Sequence, residues 1–460
     1  MTALLDCPAE VLHSIFEHLP ASSLHALCLV SKHVHQVAEP LLYTEIELVW
    51  MEHRPPPIIS LLQSIQRRPQ LAHYVQSLTL RAPFRTHLLV GNVVENPDGF
   101  HYTHLPPSIP TEGSDLAGFI ATIRDTDSPF SALWIQELES GTMDAFVTLL
   151  LSLTQNITRL RLTGVFAREN RLLGMMLRDS LCRNSGGRLP QLQLLREVIT
   201  EPQMNPYRRR EPRNTADVLP LFYLPSVRSI AAEIDNPAIF AWPTYTPNSS
   251  HITTLDLKIV REGHLGRILA TTKNLRMLKW EWGYEPSLRD EINNHVINLD
   301  QIAADLSLVQ ETLERLHLSA TVEPEHHDDP ILGINGSLKR LRNFEKLQTL
   351  QIPQLFLMGF SPVDNLGSLK DLLPKNIHHL TINDDISWLE EIAWQDRDLL
   401  DKLQQWWENH TDPTPCFHSF LLSLRHTDDQ WCAGIRQELV DLGARRRIQL
   451  EIIKQREDLC

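Results

Sequence analysis

The 460-residue sequence predicts an α/β chain, in which a short segment of three helices precedes an irregular solenoid with parallel strands inside and helices outside. Three observations predict this fold. Runs with helical apolar spacing fill the first 48 residues, a six-residue strand pattern then recurs along the chain, and further helical runs separate several of these strands. We therefore place the helical segment at 1–48 and the solenoid at 49–460.

The N-terminal segment contains three short predicted helices. The first begins near Pro8 and ends before Pro20, the second is capped by Ser22 or Ser23, and the third is capped by Ser31 and ends at 40–43. A segment this short buries too little apolar surface to be stable without disulfides, a metal or other protein surface. Because it has no disulfide pattern and no metal-ligand pattern, we expect a partner or the rest of the chain to cover its apolar face.

Residues 4–43, LLDCPAEVLHSIFEHLPASSLHALCLVSKHVHQVAEPLLY, closely resemble the F-box in its fungal form. In that motif, a Pro-x-Glu-hydrophobic-Leu-x-x-Ile-Phe helix leads into Leu-x-x-Leu-x-Leu-Val-Ser-Lys. The sequence departs from it at two places. Cys7 stands where Leu usually precedes the proline, and Val34 occupies the region in which many animal F-boxes have a tryptophan. Both replacements keep the apolar face.

The resemblance implies that residues 1–48 dock on the Skp adaptor of a cullin–RING ubiquitin ligase. It further implies a set of apolar residues that form the adaptor-facing surface or support it: Pro8, Leu12, Ile15, Phe16, Leu19, Leu24, Leu27 and Val30. The alternative is that these side chains are only the internal core of a helical cap. The sequence does not divide the set between the two roles.

The pattern apolar-x-x-apolar-x-apolar predicts short strands through the rest of the chain. It occurs at 75–80, 157–162, 195–200, 227–232, 252–257, 275–280, 313–318, 347–352, 377–382 and 417–422, and simple alternation follows at 447–452. From residue 157 onward these starts lie 23 to 40 residues apart, and pattern and period together are typical of leucine-rich repeats. Intervening helices are predicted at 144–153, 261–272, 299–309, 389–407 and 430–442. Stacked repeats need covered ends, so we expect residues 431–453 to cap the array.

Two segments interrupt this pattern. Residues 91–115 are rich in Pro, Gly, Asn and His and have no periodicity, which predicts a long loop. Residues 202–214 include a basic run, YRRREPR at 207–213, which we interpret as a second, solvated loop insertion.

Composition and motifs exclude several function classes. The chain has 43 Lys and Arg against 57 Asp and Glu, and this net charge of −14 disfavours nucleic acid as a partner. No stretch approaches the ~20 consecutive apolar residues of a membrane-spanning helix. Six scattered cysteines are typical of a reducing compartment, so we expect the cytoplasm and/or the nucleus. GxSxG, P-loop, HExxH and Rossmann patterns are absent, and the histidine-rich run at 326–329 lacks further ligands. We therefore expect no active site, metal or cofactor.

The polar positions between the strand leucines predict a candidate surface on the concave side of the solenoid, because side chains alternate along a strand. Its basic members are Arg159, Arg161, Lys279, Arg315 and His317. This basic lean favours an acidic or phosphorylated client segment. The alternative is that a solvated inner curve is simply polar. Trp280 and Trp282 alternate with Lys279 and are expected in the core.

Taken with the resemblance, these features imply a non-catalytic substrate-recognition subunit of an Skp–cullin–F-box ubiquitin ligase. The F-box would bind the Skp adaptor and so the cullin core, and the solenoid would bind a client protein of unknown identity. The alternative is a non-ligase F-box scaffold or assembly protein that binds the adaptor without directing client degradation.

Overall fold

A computed structural model describes residues 7–51, 55–81, 91–96, 99–104, 108–168, 170–182, 188–201, 215–286, 292–322, 331–364, 366, 368–408, 414–425, 427 and 431–454. The chain divides into two compact units. The first comprises Met1–Arg208, Ala216–Val227 and Pro243–Tyr245, and the second comprises Arg209–Thr215, Arg228–Trp242 and Thr246–Cys460.

The first unit begins with three helices and continues as alternating strands and helices. Its described elements are α1 (Ala9–Phe16), α2 (Ala21–Cys28), α3 (Lys32–Thr44), β1 (Glu45–Val49), α4 (Ile58–Arg67), α5 (Gln70–Tyr74), β2 (Ser77–Arg81), β3 (Gly91–Asn96), β4 (Gly99–His104), α6 (Ala117–Asp125), α7 (Ser131–Glu139), α8 (Met143–Leu153), β5 (Arg159–Thr163), α9 (Val165–Arg168), α10 (Arg171–Cys182) and β6 (Glu197–Glu201). The short helix α11 (Thr215–Val218) and a 3-10 helix (Leu219–Tyr223) follow.

Strands of the first unit form a parallel array in the order β1-β2-β5-β6. The strands of this array therefore lie side by side in the same order in which they follow one another along the chain. The buried leucines Leu48, Leu80 and Leu162 occupy facing positions, as do Leu78, Leu160 and Val198. Both rows point to the same side, because alternate residues of a strand share a face. The apolar side of the sheet is thereby packed against the helices.

The second unit has the same alternation of strands and helices over a longer stretch. Its described elements are β7 (Ser229–Glu233), β8 (Thr254–Lys258), α12 (His264–Leu269), β9 (Met277–Tyr284), β10 (Val296–Asn298), α13 (Leu299–Leu306), β11 (Arg315–Val322), β12 (Gly333–Asn335), β13 (Thr349–Pro353), α14 (Gln354–Met358), α15 (Leu369–Leu372), β14 (His379–Asn383), α16 (Asp396–Glu408), β15 (Ser419–Leu424), α17 (Ala433–Arg446) and β16 (Gln449–Lys454). Two 3-10 helices lie at Ser307–Val309 and Lys339–Asn343.

Parallel pairing in the second unit runs in the order β7-β8-β9-β11-β13-β14-β15-β16, and β10 pairs separately with β12. One continuous row of apolar side chains crosses the eight strands in register: Ile230, Leu255, Leu278, Leu316, Leu350, Leu380, Phe420 and Leu450. All but the last are fully buried. Together with the first unit, the described chain has twelve strands in parallel arrays, beside the β10–β12 pair and a hairpin.

The predicted strands are confirmed, and each begins two residues after the start of its sequence pattern. Strand β1 was not predicted. It begins at Glu45, directly after α3 ends at Thr44, and pairs with β2. The prediction of a long loop at 91–115 was wrong in part, because β3 and β4 pair there as an antiparallel hairpin. Two adjacent segments can pair as a hairpin without an alternating apolar pattern. The sequence pattern used to predict strands therefore did not indicate β3 and β4. The predicted loop at 202–214 lies outside the described residues.

Candidate functional site

The three N-terminal helices enclose a small core of their own. Six side chains form it: Leu12, Phe16, Leu24, Val34, Val37 and Ala38. Pro8 stands at the N-cap of α1, while the Ser31 hydroxyl accepts a hydrogen bond from the Val34 amide at 3.2 Å and so caps α3 as predicted. Pro20, rather than Ser22 or Ser23, occupies the N-cap of α2. Pro8, Pro20 and Ser31 thus mark where the three amphipathic helices begin, and the helices pack around one apolar core.

The core divides the eight residues predicted for adaptor binding into two groups. Leu12, Phe16 and Leu24 are buried in it, and Leu19 and Leu27 pack against its margin. All five therefore contribute to the packing of the three helices, and Leu19 and Leu27 remain partly exposed. The remaining three, Pro8, Ile15 and Val30, are exposed.

Sequence reasoning missed two exposed apolar residues of this region, Val11 and Leu29. Val11 is 46% exposed and lies one helical turn before Ile15, which is 44% exposed, so both project from one side of α1. Leu29 and Val30 follow the end of α2 and are 78% and 58% exposed. A surface that shows this many large apolar side chains in so short a segment has the character of a protein-binding site. The helical period i, i+4 was the signal that could have identified Val11.

The helical segment is fastened to the rest of the first unit by an ion pair. The Arg68 guanidinium donates to both carboxylate oxygens of Glu39 on α3, one of them at 2.6 Å, and His35 lies 3.3 Å from the same carboxylate. Two parallel hydrogen bonds fix the relative orientation of the partners better than one point contact. This tether holds α3 in place, and α3 in turn carries α1 and α2.

Arg159 and Arg161, two of the predicted client-binding residues, project from β5 in the first unit. Both are exposed and alternate with the buried residues Leu160 and Leu162, as the strand pattern predicts. Arg159 is paired, with its guanidinium 2.7 Å from the Glu45 carboxylate, whereas Arg161 has no ion-pair partner among the described residues. The basic lean predicted for this strand is therefore partly neutralised.

Lys279, Arg315 and His317 lie on neighbouring strands of the second unit, where His317 stands directly opposite Lys279. The Lys279 amine lies 2.9 Å from the Asp256 carboxylate. Burial lowers the pKa of His317, the nearby Lys279 and Arg315 charges lower it further, and the Asp256 charge opposes this shift. Trp280 and Trp282 are fully buried, which confirms their predicted place in the core. Arg315 is exposed and is the residue of this group that offers its charge most freely.

The described residues contain no group of three or more His, Cys, Asp or Glu side chains arranged to hold a metal ion. The histidine-rich run at 326–329 lies outside them. Nor does any helix in the described part of the chain have the length and apolar character needed to cross a membrane.

Comparison with known families matches residues 4–48 to the F-box-like family. The match coincides with the three helices and the start of β1, and it supports an F-box protein. An F-box domain suggests a role in binding the Skp adaptor of Skp–cullin–F-box complexes. A search of the curated proteins found no match to the chain.

Proposed function

We propose that this chain is a non-catalytic substrate-recognition subunit of an Skp–cullin–F-box ubiquitin ligase. One observation carries the proposal: the F-box-like helices at residues 4–48 have a closed core and still expose Val11, Ile15, Leu29 and Val30. An apolar surface that the described chain leaves open is what an adaptor would cover. Ubiquitin transfer would be the chemistry of the partner enzyme, and this chain would supply proximity and orientation.

The client-binding part, in this proposal, is a leucine-rich-repeat-like solenoid. Successive parallel strands, an in-register row of buried apolar residues and helices between the strands all support a stacked-repeat architecture. Its polar strand face, with Arg161 and Arg315 as unpaired cations of the described chain, is the proposed client surface. We place the protein in the cytoplasm and/or the nucleus, without a nucleic-acid or membrane partner.

Adaptor docking is tested by replacing Val11 and Ile15 together with Asp. Both side chains are already half-exposed, so the helices should remain folded, while two charges placed in an apolar interface lose their hydration. We expect co-purification of the adaptor to be lost. His13→Asp with His25→Asp is the matched control, because both histidines are exposed on the same helices. Adaptor recovery at the wild-type level from the Val11/Ile15 variant would refute the docking surface.

A second experiment separates the ligase subunit from a non-ligase scaffold that uses the same F-box. Affinity purification with the proteasome blocked compares the wild-type chain with the Val11/Ile15 variant. A ligase subunit should bring down the adaptor, the cullin and a ubiquitylated client, whereas a scaffold should bring down the adaptor without a ubiquitylated client.

A further inference from the structure

The segments that precede the strands of the second unit share a three-residue arrangement. Before three neighbouring strands, a fully buried apolar residue lies two positions ahead of the strand and the residue on either side of it is polar: His251-Ile252-Thr253 before β8, Asn274-Leu275-Arg276 before β9 and Thr312-Leu313-Glu314 before β11. Because the middle side chain points inward, its two neighbours point away from the core. The repeat thus builds a polar border along the amino-terminal edge of the sheet, distinct from the strand face described above.

Residues of this border line an open cavity of about 600 Å³. Three of its lining residues are the cations Arg228, Arg276 and Lys346, and Glu314 is the carboxylate among them. Ser250 and Thr253 add hydroxyl groups to the wall. The cavity therefore combines excess positive charge with neutral hydrogen-bonding groups.

The charges of the cavity are incompletely balanced. Arg276 lies 3.6 Å from Glu314, so one cation is paired. Arg228 and Lys346 have no ion-pair partner within the part of the chain that the structure describes. Two positive charges left over in one cavity stand out in a chain whose net charge is −14. Such a concentration of like charge is stabilised by an anion bound between the cations.

Backbone geometry places the two arginines on either side of one threonine. The Thr253 amide donates to the Arg228 carbonyl at 2.9 Å, and the Arg276 amide donates to the Thr253 carbonyl at 2.9 Å. Arg228 and Arg276 are consequently two strand spacings apart, about 10 Å between their Cα atoms. Guanidinium groups on long side chains can close that gap onto one anion above Thr253, and their planar forks match the oxygens of a phosphate.

We propose that this cavity binds a doubly charged phosphate group. A dianion with three oxygens can accept from both arginines and from Lys346 at once, whereas a single carboxylate has too little charge to offset Glu314 in addition. The phosphate could be carried by a phosphorylated serine or threonine of a protein or by a free phosphate compound. Only the first source rests on the proposed function, because it would make the cavity part of client recognition.

Calorimetric titration of the full-length chain tests the site with three ligands: inorganic phosphate, a short phosphothreonine peptide and the same peptide without phosphate. We expect the two phosphate-bearing ligands to bind and the unmodified peptide not to bind. Replacing Arg228 and Arg276 together with Gln should weaken phosphate binding about tenfold or more. The variant Arg267→Gln with Arg340→Gln is the matched control, since both arginines are exposed in the same unit and outside the cavity.

A variant that is expected to bind phosphate more tightly tests whether the weaker binding of the Arg228/Arg276 variant reflects a folding defect. Glu314→Gln removes the opposing carboxylate and frees Arg276, so it should tighten phosphate binding several-fold. Unchanged binding in both the arginine and the Glu314 variants would overturn the site, as would equal binding of the phosphorylated and unmodified peptides. A phosphopeptide that binds more tightly than inorganic phosphate identifies a protein source, and equal or weaker binding identifies a free phosphate compound.

Adaptor co-purification with the Arg228/Arg276 variant separates the two proposals. The cavity belongs to the second unit and the F-box-like helices to the first, so the variant should retain the adaptor at the wild-type level. If this variant loses phosphate binding and keeps the adaptor, the result supports the proposed phosphate site and does not bear on adaptor binding. Phosphate binding by a wild-type chain that fails to bind the adaptor would count against the proposed function and leave the cavity standing.

Discussion

Asp385 shows how one side chain substitutes for a missing strand contact. β11 pairs with β13 only from Arg315 to His317, although β11 continues to Val322. Beyond His317, the loop after β14 supplies a hydrogen-bond acceptor to β11: the Ala320 amide donates to the Asp385 carboxylate at 3.0 Å. The pKa of Asp385 is raised to about 6, mainly by burial; the Ala320 amide and Arg425 oppose the rise, and the charges of Asp384 and Glu281 add to it.

The raised pKa of Asp385 should make the free energy of unfolding depend on pH. Because its pKa is higher in the folded state than the ordinary value of 3.8, its contribution to the free energy of unfolding is largest below 3.8 and is lost as pH rises through about 6. Asp385→Asn keeps the acceptor oxygen and carries no charge. We expect it to be more stable than wild type by about 2–3 kcal/mol at pH 8, with the difference vanishing by pH 4. Urea unfolding at several pH values measures this.

Asp385→Ala supplies the contrast. It removes the charge as Asp385→Asn does, but it also leaves the Ala320 amide without its partner, so it should be less stable than Asp385→Asn by about 1–3 kcal/mol at every pH. A constant difference between Asp385→Asn and wild type across the pH range would contradict the raised pKa.

The burial of Arg261 could not be predicted from the sequence. The sequence predicted a helix from residue 261, but α12 begins at His264, and Arg261 is 1% exposed. Its guanidinium pairs with Glu262, lies 4.3 Å from the Trp282 ring centre and donates to the Asn294 and Val296 carbonyls. A buried arginine is tolerable only with such partners. Apart from the adjacent Glu262, these partners come from other segments of the chain, so local spacing could not reveal them.

At the scale of single elements, the strands were predictable because their signal is local. The patterns from 75–80 to 417–422 open with an apolar residue and a polar residue that precede the ladder, which explains the shift of two residues in those strand starts. The opening residue is fully buried in most of them, as at Val75 and Leu275, and anchors the turn. Strand β1 escaped prediction because its sequence, EIELV, directly continues a helix and lacks this anchor.

Helix α1 offers an element-scale test, because two neighbouring apolar residues have opposite roles. Leu12 is fully buried in the helical core and Ile15 is 44% exposed. Leu12→Ala should destabilise the three helices by about 2–5 kcal/mol, whereas Ile15→Ala should change their stability by no more than ~0.5 kcal/mol. Hydrogen exchange of the α1–α3 amides in the full-length chain reports this local stability. Equal protection in the two variants would show that the division between core and surface is wrong.

For the molecule as a whole, the stacking order makes the last strand a necessary cover. β16 pairs with β15, and Leu439 and Leu442 of α17 are buried beside it. Helix α17 lies within residues 431–453, the segment predicted to cap the array, and β16 lies within it except for its last residue. Each strand presents its apolar row to the next, so removing the final strands uncovers the strand before them.

Ending the chain at residue 410 tests this dependence. It removes β15, α17 and β16 and exposes Ile377, Leu380 and Ile382, all now fully buried. We expect loss of solubility, measured as the soluble fraction after expression and by light scattering. A chain ending at Lys454 is the control, since it keeps every described strand. Cooperative unfolding of a soluble 1–410 chain would show that the cap lies elsewhere.

The sequence by itself determined the α/β class, the three N-terminal helices and the approximate positions of the repeated strands. These features follow from apolar spacing over a few residues, and backbone geometry converts such spacing directly into helices and strands. Only the tertiary structure decided which apolar residues of the F-box-like helices are core, which cations are paired and which polar residues share a cavity. Arg159 meets Glu45 across 114 positions of the chain, and Arg228 and Lys346 line one cavity from separate repeats. Burial and charge pairing depend on such distant neighbours, which the stacking of parallel strands brings together.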